Sequence, residues 1–265
     1  MRVLASELRK LVAQHRVRAA FLVCLLGPPL VALVLALQDG LPKDTLFGRH
    51  IHASGFALPL VVLGFAATWA FPLLTSLVAG DVFASEDAHR TWGGLLSRDR
   101  SRGEVFTGKV LAATMSALVL LTTSALSSLA AGLALAGSHP LVGLSGTPLM
   151  PGRATAVVLL AWASAVPPLL GFTALACLVS VTTRSSVAGV GAPVVLGLLM
   201  QLLSLVGSVG RGTNVLLTTP FLAWRGLVRA HPFYGPLWQG ALVSLAWTVA
   251  CLVPARVVLL RRDVS

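Results

Sequence analysis

In a chain of 265 residues, a hydrophobic share of 56%, a charged share of 11% and a mean hydropathy of +0.86 exceed what one soluble core of that size can hide, so an ordinary soluble domain is excluded and a polytopic membrane protein is expected. The net charge of +11 does not point to nucleic acid, because no basic stripe with interleaved aromatics occurs and the Lys and Arg residues gather at the ends of apolar segments. There they read as topology signals and as contacts for anionic lipid headgroups. Cys24, Cys177 and Cys251 all fall inside apolar segments, are odd in number and lack CxxC spacing, so they read as packing residues rather than as a disulfide framework or a zinc site.

The first eighteen residues carry Arg2, Arg9, Lys10, Arg16 and Arg18, with Leu4, Leu8, Leu11 and Val12 at helical spacing, which predicts a basic amphipathic helix at the membrane interface. Ala19 to Leu37 follows without a charge and would be about 28 Å long as a helix, longer than a signal-peptide core and long enough to span. It is read as a retained first span, bent at Pro28-Pro29, whose nitrogens cannot donate to a helix. A polar loop, 38–52, leads to a second span over 53–79, interrupted by Pro59 and Pro72. A third span is predicted over 110–136, where Ser128, Gly132 and Ala136 recur every four residues and make a small-residue face, either for close helix approach or turned to lipid. After a Gly, Pro and Ser-rich loop over 137–153, a fourth span covers 154–183, with a kink or tilt expected at Pro167-Pro168 because the stretch is longer than a bilayer requires. A tight turn at Arg184 leads to a fifth span over 187–209, and a sixth over 236–260 precedes Arg261 and Arg262. Between them, 210–235 is too short to span, is broken by Pro220, and reads as a re-entrant or interfacial pair of short helices. No internal repeat or soluble domain is visible, so the fold class is an all-α membrane protein forming a single transmembrane domain over 1–265.

Between the second and third spans lies the stretch from Gly80 to Lys109, which holds Asp81, Glu86, Asp87, Asp99 and Glu104 together with Arg90, Arg98, Arg100, Arg102 and Lys109. Such a cluster cannot enter lipid. A helix through its first half would place Ala88, Trp92, Leu95 and Leu96 on one side and Glu86, Asp87, Arg90 and Thr91 largely on the other, suited to a membrane surface or a partner's groove; a solvated loop is the alternative. Lys and Arg concentrate in the N-terminus, this stretch, the Arg184 turn and the C-terminus, which predicts that both termini and the stretch are cytoplasmic.

Glu86, Leu95-Leu96-Ser97, Ser101-Arg102 and Gly108-Lys109 resemble the segment after the second span of type-2 ATP-binding-cassette permeases (ABC-2 transporters), with Asp99 where that family usually has Pro. The order of a basic N-terminal helix, Leu58-Pro59-Leu60 early in the second span, and then Glu86, Trp92 and Leu95 to Ser97 is most similar to the branch of lantibiotic-protection and antibiotic-export permeases. The resemblance implies that the segment is a coupling helix docked on a separate ATPase, with Glu86, Arg90, Trp92, Leu95, Leu96, Ser97 and Arg102 as its ATPase-coupling residues. It further implies two ATPase subunits, a second copy of this permease or a homologous one, ATP and Mg bound only on the ATPase, and export across a bacterial plasma membrane.

Several absences bear on mechanism. There is no GxxxxGK[ST] phosphate loop, so ATP cannot be bound here by that device, and no Asp, Glu or His falls within the six predicted spans, unlike proton- or ion-coupled transporters; Arg256, near the end of the sixth, is their one charged residue. Spans without acids or histidines favour an amphipathic or apolar cargo over a small ion. The histidines lack ligand spacing, so no metal site and no catalytic residue is assigned. Gly143-Leu144-Ser145-Gly146 resembles the GxSG of rhomboid intramembrane proteases, which makes a serine protease an alternative, although that chemistry needs a His beside Ser145 at membrane depth and the sixth span contains none. A non-transporting membrane anchor for a signalling ATPase is a further alternative.

Overall fold

Hydrophobic runs of bilayer length become six helices, because in lipid every backbone N–H and C=O must be bonded within its own segment. A computed structural model describes residues 2–37, 47–88, 101–205, 210–229 and 231–261. The fold is all-α, and the candidate spans are His15–Leu37, Ala57–Ala88, Arg102–Ala136, Pro151–Thr183, Ser186–Ser204 and Gly235–Arg261. A separate N-terminal helix, α1 (Arg2–Ala13), precedes the first span, α2 (His15–Leu37). The first span runs on as one helix through Pro28 and Pro29, so the expected bend does not break it.

The second span is the most interrupted. It consists of α3 (Ala57–Phe65), a π-helical turn (Ala66–Ala70), α4 (Phe71–Ala79) and, after a turn, the short α5 (Ala84–Ala88). Pro72 explains the π turn: it cannot donate to the carbonyl four residues back, and just before it the ladder widens so that Phe71 N–H bonds the Ala66 carbonyl. The helix starts at Ala57 rather than at residue 53 because the preceding turn is tied elsewhere. Gly55 N–H donates to the Gly137 carbonyl (3.0 Å) and Ser54 Oγ to the His139 carbonyl (2.8 Å).

The third span, α6 (Arg102–Ala136), begins eight residues before the predicted start. Ser101 and Glu104 close a capping box at its N-terminus, each satisfying a backbone N–H near the other. Its small-residue face is used. Gly132 abuts Gly55 so closely that a Cβ there would sit 2.1 Å from the Gly55 carbonyl oxygen.

The fourth span is broken into α7 (Pro151–Ala163) and α8 (Val166–Thr183), with Pro167 and Pro168 in the first turn of the second half, where their missing N–H groups cost nothing. Arg184 adopts a left-handed conformation (φ 56°) that ends α8 and starts α9 (Ser186–Leu205). Two 3-10 helices, Gly210–Val215 and Thr219–Val228, follow, and α10 (Gly235–Arg261) is the sixth span. The second 3-10 helix is folded into the bundle, not laid on its surface. Phe221 lies between Phe71 and Phe172, at centroid distances of 5.9 and 6.0 Å, and Trp224 sits 6.2 Å from Phe47.

The sixth span runs along α8, and the first runs along the third. The second and fourth spans are the inner ones, with 56% and 67% of their most apolar windows buried against 22% to 33% for the others. Leu26, Leu30 and Leu33 of the first span, Leu199 and Leu202 of the fifth and Leu242 and Leu245 of the sixth therefore face outward. Ser145 lies exposed in the turn of a small hairpin, β1 (Leu141–Val142) and β2 (Pro148–Leu149), beside Gly146 at φ 76°. This is a tight turn in a loop and not a nucleophile at membrane depth. Cys24, Cys177 and Cys251 are all buried and free.

Candidate functional site

The N-terminal helix carries a contradiction that the fold resolves. Leu4, Leu8 and Leu11 form its apolar stripe, and Glu7 stands within that stripe, one helical turn from each neighbour. Leu11 and Glu7 are both 4% exposed, so docking α1 through this face takes a carboxylate out of water. A buried carboxylate requires a cation and hydrogen bonds.

Lys109, two turns into the third span, supplies them. Its ammonium donates to Glu7 Oε2, to Glu86 Oε1 and to the Val82 carbonyl, each at 2.9 Å, which uses all three of its donors. It also lies 6.0 Å from the Phe83 ring centroid, and Phe83 in turn stacks on Phe106 at 5.6 Å. Lys109 is 1% exposed and Glu86 4%. Lys10 closes the cluster from the rim, donating to Glu86 Oε1 at 2.7 Å and to Glu7 Oε1 at 3.0 Å. Among the described residues two carboxylates thus face two ammonium groups, so their charges balance. Burial acts to lower the Lys10 ammonium, but its hydrogen bonds to Glu86 and Glu7, reinforced by their negative charge, outweigh that and hold it above its ordinary value.

Close packing makes this contact possible. At Gly108 an added Cβ would lie 2.6 Å from Val3 Cγ1, so α1 rests directly on the backbone of the third span beside Lys109.

A second ion pair lies beside the first. Arg16, at the start of the first span, pairs with Asp81 Oδ2, while Ser186, at the start of the fifth, donates to Asp81 Oδ1. Gly80 and Gly189 meet backbone to backbone, and a Cβ on Gly189 would fall 1.9 Å from the Gly80 carbonyl oxygen. Ser180 Oγ in the fourth span accepts from Phe83 N–H (3.3 Å) and Ala84 N–H (3.1 Å), capping α5 from another helix. Residues 80–86 are therefore bonded to α1 and to the first, third, fourth and fifth spans at one end of the bundle. Arg102 also lies at that end and donates to the Leu260 carbonyl (3.1 Å) near the C-terminus.

Of the residues assigned to ATPase coupling, Glu86 and Arg102 are placed by the structure, while Arg90, Trp92, Leu95, Leu96 and Ser97 lie outside the described residues. Glu86 is not the solvated acid that a polar helix face suggests. It points inward, because Lys109 and Lys10 offer it paired cations that the periodicity of its own segment does not reveal. Glu7, Lys10 and Lys109 belong to the same site; in sequence Lys10 and Lys109 read only as charges at segment ends, and Glu7 is given no role. Two signals mark them: an acid inside the apolar stripe of α1, and the capping spacing Ser101-x-x-Glu104, which places Lys109 inside the third helix.

Nothing in this cluster is a nucleophile. Among the described residues no group of three or more His, Cys, Asp or Glu is arranged to hold a metal ion. What the geometry supplies is rigidity, since one short segment is clamped to five other helices by ion pairs, a cap and backbone contact.

A family profile described as ABC-2 family transporter protein matches residues 3–201, the N-terminal helix and the first five spans with the charge hub among them. The chain belongs to the ABC-2 transporter family. No curated protein sequence matches it. ABC-2 permeases are membrane components of ATP-binding-cassette transporters without an ATPase site of their own, and membership of the family implies a partner ATP-binding subunit. The hub of this permease thus lies in the part of the chain that defines its family.

Proposed function

We propose that this permease exports an amphipathic or apolar substrate, such as an antibiotic, peptide or lipid-like molecule, from a bacterial cell, with ATP and Mg bound by two ATPase subunits and with a second copy or a homologous permease completing the pathway. The observation that carries the reading is the clamped segment 80–86. A force applied to it cannot be absorbed locally, because Glu86, Asp81 and the Ser180 cap lead directly into α1 and four spans. The end of the bundle that carries this hub and both chain ends is the cytoplasmic one in this reading, in keeping with its concentration of Lys and Arg. The residues that follow, Arg90, Trp92, Leu95, Leu96 and Ser97, are assigned to docking on the ATPase, and Glu86 and Arg102 to passing its motion onward.

Two measurements test this. In pull-down of the partner ATPase, Trp92→Ala should weaken assembly, because a large aromatic at the centre of an interface is worth at least ~2 kcal/mol; unchanged recovery would assign Trp92 to the headgroups. In vesicles containing the whole complex, Glu86→Gln should leave assembly and basal ATP hydrolysis intact while substrate-stimulated hydrolysis and export fall. Wild-type export by that variant would remove Glu86 from coupling.

A further inference from the structure

At the other end of the bundle, the 3-10 helix Thr219–Val228 carries a charge alongside the first and second spans. Trp224 Cζ2 would lie 4.0 Å from a Cβ on Gly64, and Gly64 is about 10 Å along the helix that starts at Ala57. Arg225 is the next residue. Neither the first nor the second predicted span contains a charged side chain, yet the tertiary fold brings an arginine alongside both from a connecting segment. An ionisable group beside two spans needs a partner and marks a functional site by default. Among the described residues Arg225 forms neither an ion pair nor a hydrogen bond.

Arg225 stands on the wall of a cavity of about 570 Å³, a volume within the range that holds one small organic ligand. The remaining lining is almost wholly apolar and includes Val23, Val31, Leu60, Phe65 and Phe71. Trp224 lines it too. This residue is 2% exposed, and its indole N–H is buried without a hydrogen-bond partner. The structure therefore presents an apolar trough with one unpaired cation on its wall. Its complement is an acyl chain joined to an anionic head.

We propose that this cavity is a binding site for an anionic membrane phospholipid, with its acyl chain between the first and second spans and its phosphate on Arg225. This goes beyond the export reading and does not depend on it. Two substitutions separate the contributions of head and chain. Arg225→Gln removes the charge from an exposed side chain. Gly27→Leu places bulk at a cavity-lining position where an added Cβ meets nothing within 4 Å, and it replaces a poor helix former by a good one.

The experiment is native mass spectrometry of the purified full chain, with phosphatidylglycerol and phosphatidylcholine of identical chains supplied in equal amounts, on variants first shown to be monodisperse. The wild type should retain phosphatidylglycerol over phosphatidylcholine by about tenfold, as one charge-assisted contact implies. Arg225→Gln should abolish that preference, and Gly27→Leu should lower retention of both lipids. Equal retention of the two lipids by the wild type overturns the proposal, as does a preference that survives Arg225→Gln or a retention that survives Gly27→Leu. No ATPase is present in the assay, so failure here leaves the export reading untouched.

Discussion

Lys109→Met is the sharpest test of the charge hub. Methionine keeps an unbranched side chain of similar bulk, so packing against Phe83 is largely preserved and the perturbation is the lost charge with its three hydrogen bonds. Glu7 and Glu86, each 4% exposed, would then face one another with the half-exposed Lys10 as their shared cation among the described residues. Removing one partner of a buried ion pair costs about 3–5 kcal/mol, because the remaining charge is left uncompensated. Glu86→Gln should be far milder, at about 1 kcal/mol, since Lys109 keeps Glu7 and the Val82 carbonyl and Lys10 can turn to water. The double variant Glu86→Gln/Lys109→Met leaves one Glu7–Lys10 pair and restores neutrality, so it should be more stable than Lys109→Met alone. The assay is unfolding in mixed micelles across this cycle, with coupling expected in the range of about 0.5–3 kcal/mol for residues of one network. A Lys109→Met protein within about 0.5 kcal/mol of wild type, or a double variant whose cost is the plain sum of the singles, would refute the reasoning.

Gly189→Ala should destabilise by about 1–3 kcal/mol or prevent assembly, because its Cβ would meet the Gly80 backbone carbonyl at 1.9 Å and neither helix has a flexible side chain to move aside; folded yield by size-exclusion chromatography reads this. Ser180→Ala should cost about 1 kcal/mol and speed hydrogen exchange at Phe83 and Ala84, whose N–H groups lose their acceptor. Lys10 is held above its ordinary value in the fold, so its contribution is fully present below its unfolded value of about 10.4 and is lost as pH rises through the higher folded value. Unfolding of wild type and Lys10→Met between about pH 9 and 11.5 should therefore converge as alkali removes the charge, and a constant difference across that window would refute the assignment.

The sequence by itself determined the class, the six spans and the interruptions near Pro72 and Pro167-Pro168, though not at Pro28-Pro29 or Pro59, where the helices run on. These follow from local properties: run length against bilayer thickness, the missing donor of Pro167 and Pro168, and the turn chemistry around Arg184. Boundaries drifted where a side chain decided them. The third helix starts at Arg102 because Ser101 and Glu104 cap it, which moves Lys109 from a charged loop to the interior of a helix. Glu86 was legible as an acid at a position that matters, but its direction was not, since amphipathic periodicity within residues 80–109 says nothing about a cation on another element.

Only the tertiary structure decided the pairings. Lys109 meets Glu7 across 102 positions of sequence, Arg16 meets Asp81 across 65, and Gly80 meets Gly189 through backbone contact that leaves no pattern in either segment. The same holds for Arg225, which sits in a connecting segment of the sequence but lines a cavity with the first and second spans in the fold. Hydrophobicity records how far each segment prefers lipid to water, and it does so one segment at a time. Which buried charge meets which is settled by the cost of leaving any of them unpaired, and that cost is defined only once the helices have packed.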